Sequence, residues 1–230
     1  MHQINDFKQR SDLDIALADK VAGMLLDAIT LKGKASLAVS GGSTPKGFFT
    51  ELSKKDLPWR DITVTLADER WVSIDSDASN TRLVHENLLQ NNAVNAKFFH
   101  LKQGDSLTSE TLADLNLAAQ SALLPLDVLI LGMGEDGHTA SLFPCSEQID
   151  EALALSTAPL LKVVPKTAPN DRITFSFAYL KQSKNTFLHI SGESKKAVLN
   201  KALAATNIKE MPIRAFLQDP EINTNVYWAE

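Results

Sequence analysis

Between Leu131 and Pro144 the chain reads Leu-Gly-Met-Gly-Glu-Asp-Gly-His-Thr-Ala-Ser-Leu-Phe-Pro. Gly132 and Gly134 end an apolar run, Val128-Leu129-Ile130-Leu131, and deliver a carboxylate, Asp136, and an imidazole, His138, two residues apart. Imidazole ionises nearest neutrality of all side chains, so His138 is a candidate general base or acid and Asp136 its orienting partner. A buried strand that stops at a glycine-rich polar turn is also where open α/β sheets seat ligands. The same residues can instead form a tight turn with a solvated Asp and His.

Three further segments carry candidate binding groups. In Ser40-Gly41-Gly42-Ser43-Thr44-Pro45 the glycines allow a tight turn, and the helix start that follows offers free N–H groups to an anion. Ser43 and Thr44 add hydroxyls. There is no Gly-Lys-Ser/Thr and no G-x-G-x-x-G, so the segment suits one phosphate or a sugar rather than a nucleotide, or else a plain capped turn. In Asp68-Glu69-Arg70-Trp71-Val72, Arg70 can grip a phosphate and Asp68 can bond sugar hydroxyls, or the acids and Arg70 can form a structural ion-pair cluster. Asn170-Asp171-Arg172 and Ser191-Gly192-Glu193-Ser194-Lys195 each put a cation, Arg172 or Lys195, beside a strand end, where a solvated surface charge is the plainer outcome. No pair of His is spaced for a metal, so no metal site and no cofactor are expected.

The elements that must position these groups alternate. Residues 11–31 read as a helix capped by Ser11 with Asp14 three positions on, its apolar stripe running from Ile15 through Leu17, Val21, Met24 and Leu25 to Ile29. Leu37–Val39 is a strand, Pro45–Leu52 a helix with Pro near its first position, and Ile62–Leu66 a strand. Ser79 or Asn80 caps a helix reaching about Leu89, and another helix covers 108–123. Strands follow at 126–131, 160–164, 173–177 and 186–190, then a helix at 194–204 and a last strand at 226–228. The fold class predicted is α/β, a Rossmann-like open, mostly parallel sheet with helices on both faces, in a single domain over residues 1–230. The stretch 140–172, with Pro144, Pro159, Pro165 and Pro169, is the least regular and reads as a lid or an excursion.

The 230 residues are 44% hydrophobic and 22% charged, with net charge −5. No basic patch points to nucleic acid. No apolar run approaches the roughly 18 residues of a membrane span, and the N-terminus lacks the cationic-then-apolar order of a signal peptide. One cysteine, Cys145, forms no internal disulfide and suits a reducing compartment, so a cytoplasmic location is expected.

Taken together, SGGSTP (40–45), DERWV (68–72), Ser79-Asn80, LGMGEDGHTASLFP (131–144), Arg172 and SGESK (191–195) resemble the 6-phosphogluconolactonases of the bacterial single-domain type, within a wider group of sugar-phosphate isomerases and deaminases. Ser73 stands where that family often has Pro, and Cys145 where it often has Gly. The resemblance implies hydrolysis of 6-phospho-D-glucono-1,5-lactone, the second step of the oxidative pentose phosphate pathway. It implies His138 as base, Asp136 orienting it, turn N–H groups from Gly132 to Gly137 around the oxyanion, and Arg70, Arg172 and Lys195 around the phosphate with the Ser43/Thr44 backbone. The substrate is a small molecule, with neither membrane nor nucleic acid as partner, and both monomer and homodimer remain open. A glucosamine-6-phosphate deaminase would carry Asp-Glu-Tyr in place of Asp68-Glu69-Arg70 and a further Glu after the His. A sugar-phosphate-sensing regulator would need a DNA-binding module ahead of the first helix, for which residues 1–10 leave no room.

Overall fold

The computed structural model describes residues 2–230. Its frame is a seven-stranded sheet formed by β1 (His2–Phe7), β2 (Ala35–Val39), β3 (Ile62–Leu66), β5 (Lys97–Phe98), β6 (Val128–Leu131), β9 (Asn185–Ser191) and β10 (Thr224–Ala229). The order is β1-β10-β9-β6-β2-β3-β5 and every pairing is parallel. All residues of β2 and β6 are buried, as expected of strands covered on both faces, which is why they read as unbroken apolar runs.

Helices pack around this sheet. In α1 (Arg10–Lys32) the buried set is Leu13, Leu17, Ala18, Val21, Ala22, Leu25 and Ala28, a helical spacing that turns one stripe inward. The stripe is rotated from the sequence expectation: Leu13 is buried and Ile15 is 45% exposed. The expected Ser11 cap is absent. Gln9 is the N-cap and makes no side-chain cap bond, because the helix starts a residue before Ser11. Gly33, in the left-handed region at φ 74°, ends the helix by returning its N–H to Ile29 O. The chain then passes through α2 (Lys46–Ser53), α3 (Asn80–Asn87), α4 (Ser109–Ala122), α5 (Ile149–Leu153), α6 (Phe177–Leu180), α7 (Glu193–Leu203) and α8 (Arg214–Gln218).

Residues 160–164 and 173–177 were expected as strands of the main sheet. They form instead β7 (Leu160–Val163) and β8 (Arg172–Phe175), which with β4 (Asp68–Arg70) make a separate antiparallel sheet in the order β4-β8-β7. The proline-rich stretch thus contributes β7 and the first residue of β8 to this small sheet.

The strand order reverses between β2 and β6. From β2 the chain moves outward to β3 and β5, whereas from β6 it moves the other way to β9 and β10. At such a switch point the loops leaving the two strands diverge and open a crevice beyond their C-terminal ends. The loop after β2 is Ser40–Pro45 and the loop after β6 is Gly132–Pro144.

Candidate active site

Ser40 ties the two crevice loops together. Its Oγ donates to Ile130 O and accepts from Gly132 N, both at 3.0 Å. Thr139 Oγ1 donates to Gly132 O at 2.8 Å, so the glycine turn is held at both ends.

His138 lies in the pocket formed there. Its Nδ1 is 2.6 Å from Asp136 Oδ1, and its own backbone N–H reaches the same oxygen at 3.1 Å. Burial alone would raise the Asp136 carboxyl, but the His138 ring and backbone donors outweigh it and hold it below its ordinary value. An ionised carboxylate can only accept, so the Nδ1 carries the proton and the lone pair sits on Nε2. The pair fits because Gly134 has no side chain: a Cβ there would stand 2.1 Å from His138 Nδ1. The other face of the imidazole lies on Phe143, with ring centroids 4.2 Å apart, and the Arg172 guanidinium lies 5.5 Å from the same ring.

Strand alternation explains the opposite wall. In β4, Asp68 and Arg70 project to one face and Glu69 to the other. Asp68 is register-paired with Thr174, and Arg70 with Arg172. Asp68 accepts from Ser141 Oγ at 2.5 Å and lies 3.9 Å from Arg172 Nη1. Arg70 Nη1 donates to Ala78 O at 2.7 Å, and the Nε atoms of both Arg70 and Arg172 are buried without a partner. Burial holds Arg172 below the ordinary guanidinium value; Asp68 opposes that and Arg70 adds to it.

Glu69, on the far face and 1% exposed, accepts from Arg70 N, Asn80 N, Thr81 N and Ser79 Oγ. It closes the N-terminus of α3 and clamps that helix to β4. Sequence reading had left Glu69 in an undivided acidic cluster. Glu69→Ala strands buried N–H donors, each worth about 1–3 kcal/mol when unmet. The expected result is a loss of at least about 3 kcal/mol in urea unfolding, with Glu69→Gln intermediate.

Asn80, which the sequence offers as a helix cap and as part of the Ser79-Asn80 motif without a site role, lies in the site. Ser79 is the actual N-cap, and Asn80 Nδ2 donates to Asp68 O at 3.0 Å. Its Oδ1 is buried, has no partner and faces Gly41, where a Cβ would lie 1.8 Å away.

These groups enclose two adjoining cavities. The first, about 190 Å³, is lined by Gly41, Gly42, Asp68, Arg70, Asn80, His138 and Arg172, among others. The second, about 220 Å³, is lined by Ser43, Thr44, Pro45, His189 and Lys195 and shares Ser40, Gly41, Gly42, Gly132 and Met133 with the first. Of the three cations expected around the phosphate, Arg70 and Arg172 line the first cavity and Lys195 lines the second. Its Nζ pairs with Glu135 Oε1 at 2.8 Å. The N–H groups of Ser43 and Thr44 have no partner among the described residues. Within the turn expected to supply oxyanion donors, three N–H groups are already bonded: Gly132 N donates to Ser40, Gly134 N to His138 O, and Gly137 N to Gly134 O. Among the described residues, no cluster of three or more His, Cys, Asp or Glu could hold a metal ion, and no helix is long and apolar enough to cross a membrane.

Comparison with known proteins gives consistent relatives. Residues 8–228 match the family described as glucosamine-6-phosphate isomerases/6-phosphogluconolactonase. A 6-phosphogluconolactonase of Rhizobium meliloti is 45% identical over 224 residues, covering 97% of each chain. The crystal structure of a 6-phosphogluconolactonase from Shewanella baltica superposes with a TM-score of 0.97 at 43% identity, covering 100% of this chain and 98% of that one. A monomeric glucosamine-6-phosphate deaminase, 19% identical with a TM-score of 0.81, shares the fold.

Proposed function

This chain belongs to the glucosamine-6-phosphate isomerase/6-phosphogluconolactonase family, and from that premise we propose that it hydrolyses 6-phospho-D-glucono-1,5-lactone to 6-phosphogluconate, the second step of the oxidative pentose phosphate pathway. The observation that carries the reading is the 2.6 Å contact of His138 Nδ1 with an ionised Asp136, which reserves Nε2 as a base in a cavity bearing two guanidiniums.

A lactone carbonyl is electrophilic enough to need no covalent nucleophile. Water, deprotonated by His138 Nε2, attacks C1. The carbonyl π electrons move onto oxygen, and the oxyanion meets Arg70 and Arg172, whose unpartnered Nε atoms are donors in search of an acceptor. Collapse breaks the bond from C1 to the ring oxygen, and the imidazolium returns its proton to that oxygen. Asp136 keeps the ring oriented and offsets its transient positive charge. Asp68 and Asn80 face the sugar hydroxyls.

The phosphate seats in the adjoining cavity, on the Ser43 and Thr44 N–H groups above the N-terminus of α2 and against Lys195. Lys195 exchanges Glu135 for the phosphate at little cost, since Glu135 is 64% exposed and such pairs contribute at most about 1 kcal/mol. The remote phosphate contact positions the lactone carbon for attack. On this reading the enzyme works in the cytoplasm, where its sugar-phosphate substrate is found.

The test is direct. Purified protein is given the lactone and acid release is followed above the spontaneous background, with ammonia release from glucosamine-6-phosphate as the second arm. Acid release without ammonia supports the reading; ammonia release, or neither, overturns it.

A further inference from the structure

Behind the second cavity lies a pair of ionisable groups that the chemistry above does not use. Asp14 projects from α1 toward the backbone N–H of Phe48 in the first turn of α2, which favours its charged form. It is pressed against Gly47, where a Cβ would stand 1.9 Å from Asp14 Oδ2. His189 projects from β9 and is 4% exposed, and its Nε2 lies 3.7 Å from Asp14 Oδ1. His189 lines the cavity, and its Nδ1 is buried with no partner. The Phe48 ring meets the imidazole edge-on at 5.9 Å.

The surrounding charges are few. Glu51 on α2 and Arg10 on α1 act on Asp14 with opposite signs. Lys195 stands at the same cavity, and Tyr227 on β10 is the register neighbour of His189. From β6 come only Ile130 and Leu131, which carry no charge.

Burial pushes the Asp14 carboxyl up to about 6, against the Phe48 hydrogen bond, and the His189 imidazole down to about 4. At neutral pH the contact is therefore a carboxylate beside a neutral imidazole, not an ion pair. It places one negative charge on the same helix terminus that faces an incoming anion.

We propose that Asp14 and His189 are positioning residues for the phosphate of the substrate, and that seating the phosphate dianion draws one proton from solvent onto this pair. A dianion in front of the α2 N-terminus opposes the Asp14 charge behind it. Adding a proton to the Asp14 carboxyl relieves the repulsion, and the neutral His189 imidazole, with Nε2 3.7 Å from Asp14 Oδ1, is the group beside it. The sign follows from linkage. The bound state holds the proton more tightly than the free state, so affinity is greatest at low pH and is lost as pH rises above the free-state value of about 6.

The inference rests on the phosphate occupying the second cavity. The experiment is calorimetric titration of 6-phosphogluconate into the wild-type protein and Asp14→Asn, in two buffers of different ionisation enthalpy between pH 5.5 and 8. Asparagine keeps an acceptor for Phe48 N–H while removing the charge. The second phosphate ionisation of the ligand, near 6, is common to both proteins and cancels in the difference. The wild type is expected to take up roughly half a proton more than the variant near pH 7. The variant is expected to gain about tenfold in affinity relative to wild type at pH 8 and to match it at pH 5.5. In turnover the difference falls on KM and leaves kcat unchanged. Equal proton uptake and parallel pH profiles overturn this proposal alone; absence of 6-phosphogluconate binding to wild type overturns it together with the proposed function. Should Asp14→Asn not fold, the wild type still decides. The Asp14 carboxyl carbon and His189 ring nitrogens, followed by NMR at pH 7, shift toward their protonated values on saturation if the pair takes the proton, and stay put if it does not.

Discussion

His138→Ala is expected to lower kcat by about 10² to 10⁴ while leaving KM within a few-fold of wild type. Nε2 is the basic atom available beside the reacting carbon, whereas the groups assigned to hold the substrate lie elsewhere, at Ser43, Thr44, Lys195 and β4. The partner carboxylate stays charged through this chemistry, since its donors hold Asp136 below the ordinary carboxylate value. Asp136→Asn is expected to reduce kcat as well: an amide can offer its NH₂ to Nδ1, which moves the ring proton to Nε2 and destroys the base. Single-turnover measurements corrected for spontaneous hydrolysis check both variants. A His138→Ala enzyme with near-wild-type kcat would remove the imidazole from the mechanism.

The second large effect separates the two cavities. Arg70→Ala is expected to cost about 10² to 10³ in kcat/KM, the usual consequence of losing a donor to a developing oxyanion. Because Arg70 shares its cavity with His138, that loss should be of similar size on glucono-1,5-lactone, which has no phosphate. Lys195→Ala should behave oppositely, raising KM for the phosphorylated lactone and changing little on the unphosphorylated one. Arg70→Lys should rescue only in part, lacking the planar fork. If instead Arg70→Ala hurts only the phosphorylated substrate, the guanidinium reads the phosphate, and the assignment of the two cavities is reversed.

Much of this was legible in the sequence because the informative residues obey local rules. The apolar runs of β2 and β6, each ending in a glycine turn, announced a parallel sheet and the loops that bear the site. Asp136 and His138 are neighbours in sequence, so their pairing needed no long-range knowledge. What stayed hidden depends on distant partners. Asp68, Arg70 and Arg172 face one cavity because β4 pairs with β8 in a second sheet, and nothing local distinguishes those strands from members of the first. Asp14 looks like part of a helix cap, yet its neighbours are Phe48 and His189, which the fold brings in from other elements. Which of the turn's N–H groups are free is hidden for a related reason: the N–H of Gly132 is taken by Ser40, some ninety residues away. β1 was missed altogether, since its polar residues lie at the sheet edge and only three-dimensional pairing with β10 makes them a strand.

The direct opposition of Arg70 and Arg172 across β4 and β8 carries a cost as well as a use. Like charges facing one another across an antiparallel pair destabilise it, typically by up to about 1 kcal/mol. Selection for durability alone would replace one of them, so the empty enzyme is a slightly poorer fold than its own sequence could make. An anion between the guanidiniums removes that penalty, and heat resistance then becomes a report of occupancy. At about a hundred times its dissociation constant, 6-phosphogluconate should contribute about 2.7 kcal/mol and raise Tm by roughly 5–10 °C, with gluconate giving a smaller rise at equal concentration. In a working cell, where metabolites come and go, the lifetime of the protein would then track the supply of the compounds it handles.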